Sequence, residues 1–236
     1  MKAVILAAGR GSRLESLPVS KPLCLVNGRP LIDWVISTAH EAGIHEFVVV
    51  TGYAREPLEQ HLIEFGRGRA FTIACVPNEE WERANGVSAF AARDRVGDRF
   101  VLLMSDHLFD AAILTRLIAQ RLDEVDLILA VDASVVDNPT VDLDDVTRVM
   151  AQRHRIVQIG KGLPAYNAFD TGIFLCTRAL FDALAESQAR GDDSLSGGVR
   201  VLAERGRAGV MDIDGGFWID VDDEQALRKA GGLVAP

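Results

Sequence analysis

Two sets of residues stand out by type and spacing: cations beside paired glycines near the start, and aspartates that follow apolar runs far apart in the chain. Gly9 and Gly11 come just after the apolar run 2–8, and Arg13 and Lys21 lie in the same loop. Glycines let the backbone turn sharply and leave amide N–H groups uncovered. Each oxygen of a polyphosphate needs such a donor or a positive charge, so this stretch is expected to hold one. It is not a dinucleotide fingerprint, which would need glycine in place of Leu14, nor a Walker loop, because Pro22 follows Lys21. A glycine-rich turn that merely joins strand to helix is the alternative, and the added Arg and Lys weigh against it.

Asp106 stands just past a strongly apolar run, and the segment Trp218-Ile219-Asp220-Val221-Asp222 carries two alternate carboxylates. Alternate residues of a strand point the same way. A hard dication such as Mg²⁺ takes one or two carboxylates plus phosphate oxygens. The expectation is that Asp106 and Asp220 share Mg²⁺, with Asp222 as a third or supporting carboxylate. Position alone divides Asp106 evenly between this role and a helix cap. For His107 a backbone hydrogen bond that orients the loop weighs at least as much as catalysis. Asn78, Glu79 and the segment Arg83-Ala84-Asn85-Gly86-Val87-Ser88 offer hydrogen bonds and a flat approach for a base, and read equally well as a loop with an Asn-Gly turn. Lys161 lies between Gly160 and Gly162, where a lysine is usually a solvated surface residue. The acidic run Asp142, Asp144 and Asp145 lacks the glycine and glutamate of a calcium loop and reads as solvated.

Strands and helices must alternate to place these groups. Strands are expected at 2–8, 47–50, 71–76, 100–104 and 127–131, and helices from Arg29-Pro30 to Gly43 and over 56–65, 87–95 and 111–122. That rhythm implies an α/β doubly wound, mixed but mostly parallel sheet with ligands at the carboxyl ends of its strands. After residue 131 comes an acidic loop, 132–145, containing Asn138-Pro139. Strands at 147–151, 155–159 and 171–176 follow, then helices at 179–188 and around 199–204, strands at 209–213 and 217–221, and a helix from Asp223. The expected organisation is one domain over 1–236. Residues to about 131 form its nucleotide-binding half, and the remainder is an acceptor-side insertion that completes the metal site.

Composition narrows the class. A chain of 236 residues buries roughly 70–75% of its unfolded surface and needs no staple. Cys24, Cys75 and Cys176 are widely separated, which fits buried thiols in a reducing cytoplasm. The net charge of −9 argues against nucleic-acid binding, so an anionic substrate needs a local positive site. No apolar run approaches the ~18 residues of a membrane span.

The stretch Leu6-Ala7-Ala8-Gly9-Arg10-Gly11-Ser12-Arg13-Leu14, continued by Lys21-Pro22-Leu23, resembles the opening of nucleotidyltransferases that make nucleotide-activated sugars and alcohols. With Ser105-Asp106-His107, Ile159-Gly160-Lys161 and Asp170-Thr171-Gly172, the pattern is most similar to CTP:inositol-1-phosphate cytidylyltransferases. The resemblance implies a Rossmann-like nucleotidyltransferase fold, with metal ligands at Asp106 and Asp220. It puts the nucleotide against residues 6–9, Gly11, Ser12, Asn78, Asn85, Gly86, Ser88 and Ser105, a glycine being common at the last of these. It also gives Lys161 the acceptor phosphate, and Asp170, Thr171 and Gly172 the acceptor hydroxyls.

The implied reaction is attack by an acceptor phosphate on the α-phosphorus of a nucleoside triphosphate, CTP preferred, with loss of pyrophosphate. Arg13 would hold the departing phosphates and Lys21 the α-phosphate. The product, CDP-inositol, would feed phospholipid or compatible-solute synthesis. Some enzymes of that kind are fused to a membrane-embedded transferase, so the expected partners are such a transferase or a second copy of the chain. Sugar-phosphate and phosphocholine transfer are rival readings; the latter would want an aromatic cage. A silent nucleotide-binding regulator would have no need of both metal carboxylates.

Overall fold

The computed structural model describes residues 1–14, 20–136 and 141–233. Its first strand, β1 (Lys2–Ala7), is apolar and buried from Ala3 onward because both its faces are covered. Ala3, Ile5 and Ala7 face one core, while Val4, Leu6 and Ala8 face another. The two-residue strands β2 (Leu25–Val26) and β3 (Arg29–Pro30) form a small ribbon before helix α1 (Leu31–Glu41). Then follow β4 (Glu46–Thr51), α2 (Arg55–Gly66), β5 (Thr72–Pro77), α3 (Asn85–Ala91), β6 (Arg99–Met104), the short β7 (His107–Phe109), α4 (Ala111–Ile118) and β8 (Leu127–Asp132). The later part contributes β9 (Arg148–Gln152), β10 (Arg155–Gly160), β11 (Ala168–Thr177), α5 (Ala179–Ala189), α6 (Leu195–Glu204), β12 (Ala208–Asp212), β13 (Trp218–Asp220) and α7 (Glu224–Leu233).

The main sheet has nine strands in the order β5-β4-β1-β6-β11-β8-β12-β10-β9. Only β10 and β11 run against the rest, so the sheet is mixed and mostly parallel as expected. Helices α1, α2 and α4 pack on one face, and α3, α5 and α6 on the other. The expected elements are present with ends shifted by a few residues. The largest shifts are at α3, which stops at Ala91, and α4, which stops at Ile118, each four residues short; β11 begins three residues early. Asp142 and Asp144 are exposed, as expected of a solvated loop, but two aspartates near them are not. Asp132 is buried and accepts a hydrogen bond from the Trp218 indole, and Asp145 is half-buried in ion pairs described below. Asn138-Pro139 lies outside the described residues.

Topology brings one end of the sheet together. Strands β1, β4, β5 and β6 all finish at that end. Because β11 is antiparallel to β6, its beginning, with Asp170 and Thr171, lies there as well. The ladder between β11 and β8 loses register between Asp170 and Phe174. Gly172 sits in that irregularity with φ +74°, a conformation that glycine adopts at little steric cost. Off the main sheet, β7 pairs with β13, and Asp220 stands opposite His107.

Candidate active site

The loop after β1 is shaped by one close approach. Gly11 has φ +65°, and a Cβ there would stand 2.6 Å from the Lys21 Cβ. Ser12–Leu14 forms a single 3₁₀ turn that Leu14 anchors in the core. A second such turn, Lys21–Leu23, has Pro22 in its first positions. Lys21 is thereby buried, with its Nζ 2.5 Å from Asp106 Oδ2 and also paired with Asp222. Arg13 Nη2 lies 2.6 Å from Asp222 Oδ2 and 2.7 Å from Asp145 Oδ2. Burial pulls the Lys21 pKa down, but Asp106, Asp220 and Asp222 outweigh it and hold the ammonium charged far above neutral pH.

Asp106 follows β6 and caps no helix; Asp110 holds that position for α4. The Val221 amide donates to the Asp106 carbonyl at 2.9 Å, which fixes the two distant carboxylate segments side by side. One ligand atom each from Asp106, His107 and Asp220 falls within 4.8 Å of the others. Asp220 Oδ1 is buried with no hydrogen-bond partner in the structure. Burial raises the Asp220 pKa, while the Asp106 carboxylate is kept low, against burial, chiefly by Lys21. An unpartnered carboxylate oxygen beside a second carboxylate suits a hard dication. Asp222 lies beyond the end of β13, and its carboxylate is engaged by Lys21 and Arg13.

His107 has its Nδ1 2.7 Å from the Thr171 carbonyl, which ties β7 to β11. Its Nε2 faces Asp220 Oδ2 at 3.4 Å and Asp106 Oδ1 at 3.7 Å. Burial opposes the imidazolium, yet Asp220 and Asp106 raise its pKa to about 10. The orienting backbone bond anticipated for this histidine is present.

Two cavities open on either side of these groups. A smaller one, about 340 Å³, is lined by Leu6, Ala7, Ala8, Gly9, Gly11, Ser12, Lys21, Ser88 and Ser105. Asn78 and Gly86 do not line it. Asn78 is buried behind Ser88 and donates to its hydroxyl, and Gly86 packs where a Cβ would meet the Asp193 carbonyl at 2.4 Å. Asn85 lines the cavity and also accepts a hydrogen bond from the Leu195 amide. Arg83, from the segment expected to frame a base, lines it too, as does Trp81, to which the sequence gave no nucleotide role. Their signal is adjacency to Asn85-Gly86, and Arg83 is pinned by a fork of bonds to Asp193.

The larger cavity, about 660 Å³, contains Lys161, Asp170 and Gly172, with Asp145, Gln225 and Lys229 in addition. Thr171 is fully buried behind it and donates to the Ala130 carbonyl. Burial pushes the Asp170 carboxyl up to about 6. The two cavities share a wall made of Arg13, Asn85, Met104, Asp106 and Asp222.

A doubly wound mixed sheet, with a glycine-rich first loop and aspartates meeting just past β6 and at the end of β13, defines the nucleotidyltransferase class. The chain belongs to the family of the MobA-like NTP transferase domain, which it matches over residues 3–207. It is 34% identical to the "Bifunctional IPC transferase and DIPP synthase" of Rubrobacter xylanophilus, over 98% of this chain and 51% of that protein. It is 31% identical to the Aquifex aeolicus protein of the same name, over 97% of this chain and 50% of the relative. The chain thus spans about half the length of these curated relatives. Among solved structures it is similar to the inositol-1-phosphate CTP transferase from T. maritima. The TM-score there is 0.84 at 26% identity, covering 100% of this chain and 98% of that one.

Proposed function

We propose that this chain transfers a cytidylyl group from CTP to the phosphate of a phosphorylated polyol, inositol 1-phosphate, giving CDP-inositol and pyrophosphate with Mg²⁺. The observation that carries this reading is the pair of cavities whose common wall holds Arg13, Asp106 and Asp222. Two adjoining chambers with cations at their boundary suit a reaction that aligns and joins two anionic substrates. The smaller cavity would take the triphosphate. The loop amides and Arg13 would bind its β- and γ-phosphates, and Lys21 its α-phosphate. The larger cavity would take the acceptor, with Lys161 on its phosphate. Asp106 and Asp220 would hold Mg²⁺, with Asp222 supporting, and the ion would supply positive charge to the phosphate oxygens when bound.

An acceptor phosphate is already anionic at neutral pH, so its oxygen attacks the α-phosphorus without a strong base, and pyrophosphate leaves along the line of attack. Lys21 is positioned to keep its proton throughout, as its three carboxylate neighbours demand. The larger cavity favours a polyol over a choline. Its aromatic members, Phe174 and Trp218, are each no more than 4% exposed, and the Trp218 indole is tied to Asp132, so they build no cage. Asp142, Asp170 and Asp223 instead offer carboxylate oxygens to hydroxyl donors. Cytidine and inositol rest on the name of the similar solved structure. The relatives' names pair this activity with a DIPP synthase, which supports a following synthase as the consumer of the product.

Pyrophosphate release, measured with four nucleoside triphosphates against phosphorylated polyols, sugars and choline, tests the proposal. CTP with inositol 1-phosphate should be the fastest pair, and Asp106→Asn should abolish release without unfolding the protein. Faster release with a sugar phosphate would reassign the acceptor, and none with any pair would leave a nucleotide-binding protein without turnover.

A further inference from the structure

The charged groups of the two cavities form one alternating row: Lys161, Asp145, Arg13, Asp222, Lys21, Asp106. Asp145 is its unusual member. It comes from a tract whose composition suggests solvated loop, yet its two oxygens are divided between cations far apart in the chain. Oδ2 takes Arg13 at 2.7 Å, and Oδ1 takes Lys161. Under the functional reading above, the same two cations serve the substrates' phosphates.

The turn that carries Asp145 is built to keep it there. The Asp145 and Val146 amides donate to the Asp142 carbonyl, and the Asp144 amide to the Asp142 carboxylate. Arg148 then binds the carbonyl of Leu143 in that turn and the carbonyl of Leu163 in the loop after Lys161. The Asp145 turn and the Lys161 loop are thus clasped together, with the carboxylate aimed across the cavity at Arg13.

We infer that Asp145 is a placeholder for the acceptor phosphate: its carboxylate occupies the anion position between Lys161 and Arg13, and the arriving phosphate must displace it. The inference rests on the acceptor-phosphate role proposed for Lys161. It also adds Arg13 to the acceptor's contacts, because one anion at that position touches both cations. Arg13 and Lys161 are 46% and 61% exposed, so water screens these pairs and displacement is easy. A phosphate brings a greater charge and a third oxygen, and forms charge-assisted bonds to both cations. The placeholder keeps the empty site close to neutral and admits only an anion able to outcompete a carboxylate.

Titration calorimetry of the chain with inorganic phosphate and with pyrophosphate tests this, using the wild type, Asp145→Asn and Asp144→Asn. Asp144 gives the same change of charge next door, and its side chain is exposed. Asp145→Asn should bind phosphate on the order of 5-fold tighter than the wild type and lower the acceptor KM by a similar factor, while Asp144→Asn changes either by less than about 2-fold. Weaker or unchanged phosphate binding in Asp145→Asn, no phosphate binding to any of the proteins, or equal tightening in Asp144→Asn would overturn the placeholder. Turnover of CTP and inositol 1-phosphate in the same samples separates the two ideas. Turnover without tightening removes only the placeholder, and tightening without turnover removes the functional reading but leaves the anion position.

Discussion

A buried lysine among three carboxylates is the residue on which the site's electrostatics turn. Lys21 is 8% exposed, with Asp106 and Asp222 on its ammonium and Asp220 close by. Removing it strands these carboxylates without a counter-charge, which costs more than the pair contributes. Lys21→Met should therefore lower stability by about 2–3 kcal/mol, less than for a dry pair because Asp106 and Asp222 are 22–23% exposed. Mg²⁺ should raise the melting temperature of this variant more than that of the wild type, since a dication replaces the lost charge; equal Mg²⁺ responses would contradict this. Asp170 makes the opposite prediction. Burial raises its pKa from 3.8 to about 6, so its contribution is present below 3.8 and lost as pH rises through about 6. Asp170→Asn keeps an acceptor for the Gly172 amide and should be more stable than wild type at pH 8, by up to about 3 kcal/mol, with the gain gone at pH 4. Chemical denaturation at both pH values reads this out. Lys21, Asp106 and Asp220 were legible because their types and local context are unusual. Asp145 was not: a short acidic run looks the same whether it meets water or an arginine far away in the chain.

At the level of elements, the site depends on one small strand pairing that no periodicity announces. Three residues, His107–Phe109, are too few to show alternation, so β7 reads as loop. Its ladder with β13 nevertheless sets Asp220 opposite His107, and the His107 ring then leans on β11 through the Thr171 carbonyl. Gly172 makes room for that ring. A Cβ there would lie 2.3 Å from His107 Nδ1 and 2.9 Å from Met104 Cγ, on a backbone already at φ +74°. Gly172→Ala should lose about 2 kcal/mol or more, and kcat/KM should fall at least ~10-fold as His107 and Asp220 shift together. Gly68→Ala has a similar φ of +71° but open space around its Cβ. It should show the conformational cost alone, with activity unchanged. If both variants behaved alike in stability and turnover, the Gly172–His107 contact would have no part in holding the site. The long parallel strands and their helices needed no such help to be read, because continuous apolar runs and 3.6-residue periodicity are local properties.

Across the molecule, the half that would bind nucleotide and the half that would bind acceptor are joined through the centre of the sheet. Strand β11 lies between β6 and β8, and its Ile173, Phe174, Leu175 and Cys176 are at most 1% exposed. Ile173 and Leu175 enter one core, while Phe174 and Cys176 enter the other. This insertion is the part of the topology that element order could not supply, since strand adjacency in a mixed sheet is set by packing between distant segments. Cutting the chain near residue 131 would uncover the edge of β6 and open both cores, at about 1.5–3 kcal/mol for each large apolar side chain exposed. The expectation of one cooperative domain therefore predicts that residues 1–131 alone aggregate or melt without a sharp transition. Co-expression with 132–236 should recover soluble protein, and the uncut chain should unfold in a single calorimetric step with matching calorimetric and van't Hoff enthalpies. A soluble 1–131 fragment with its own cooperative melt would show two units instead. In that event Arg13 and Lys21 would meet Asp145 and Asp222 across a domain boundary rather than within one folded core.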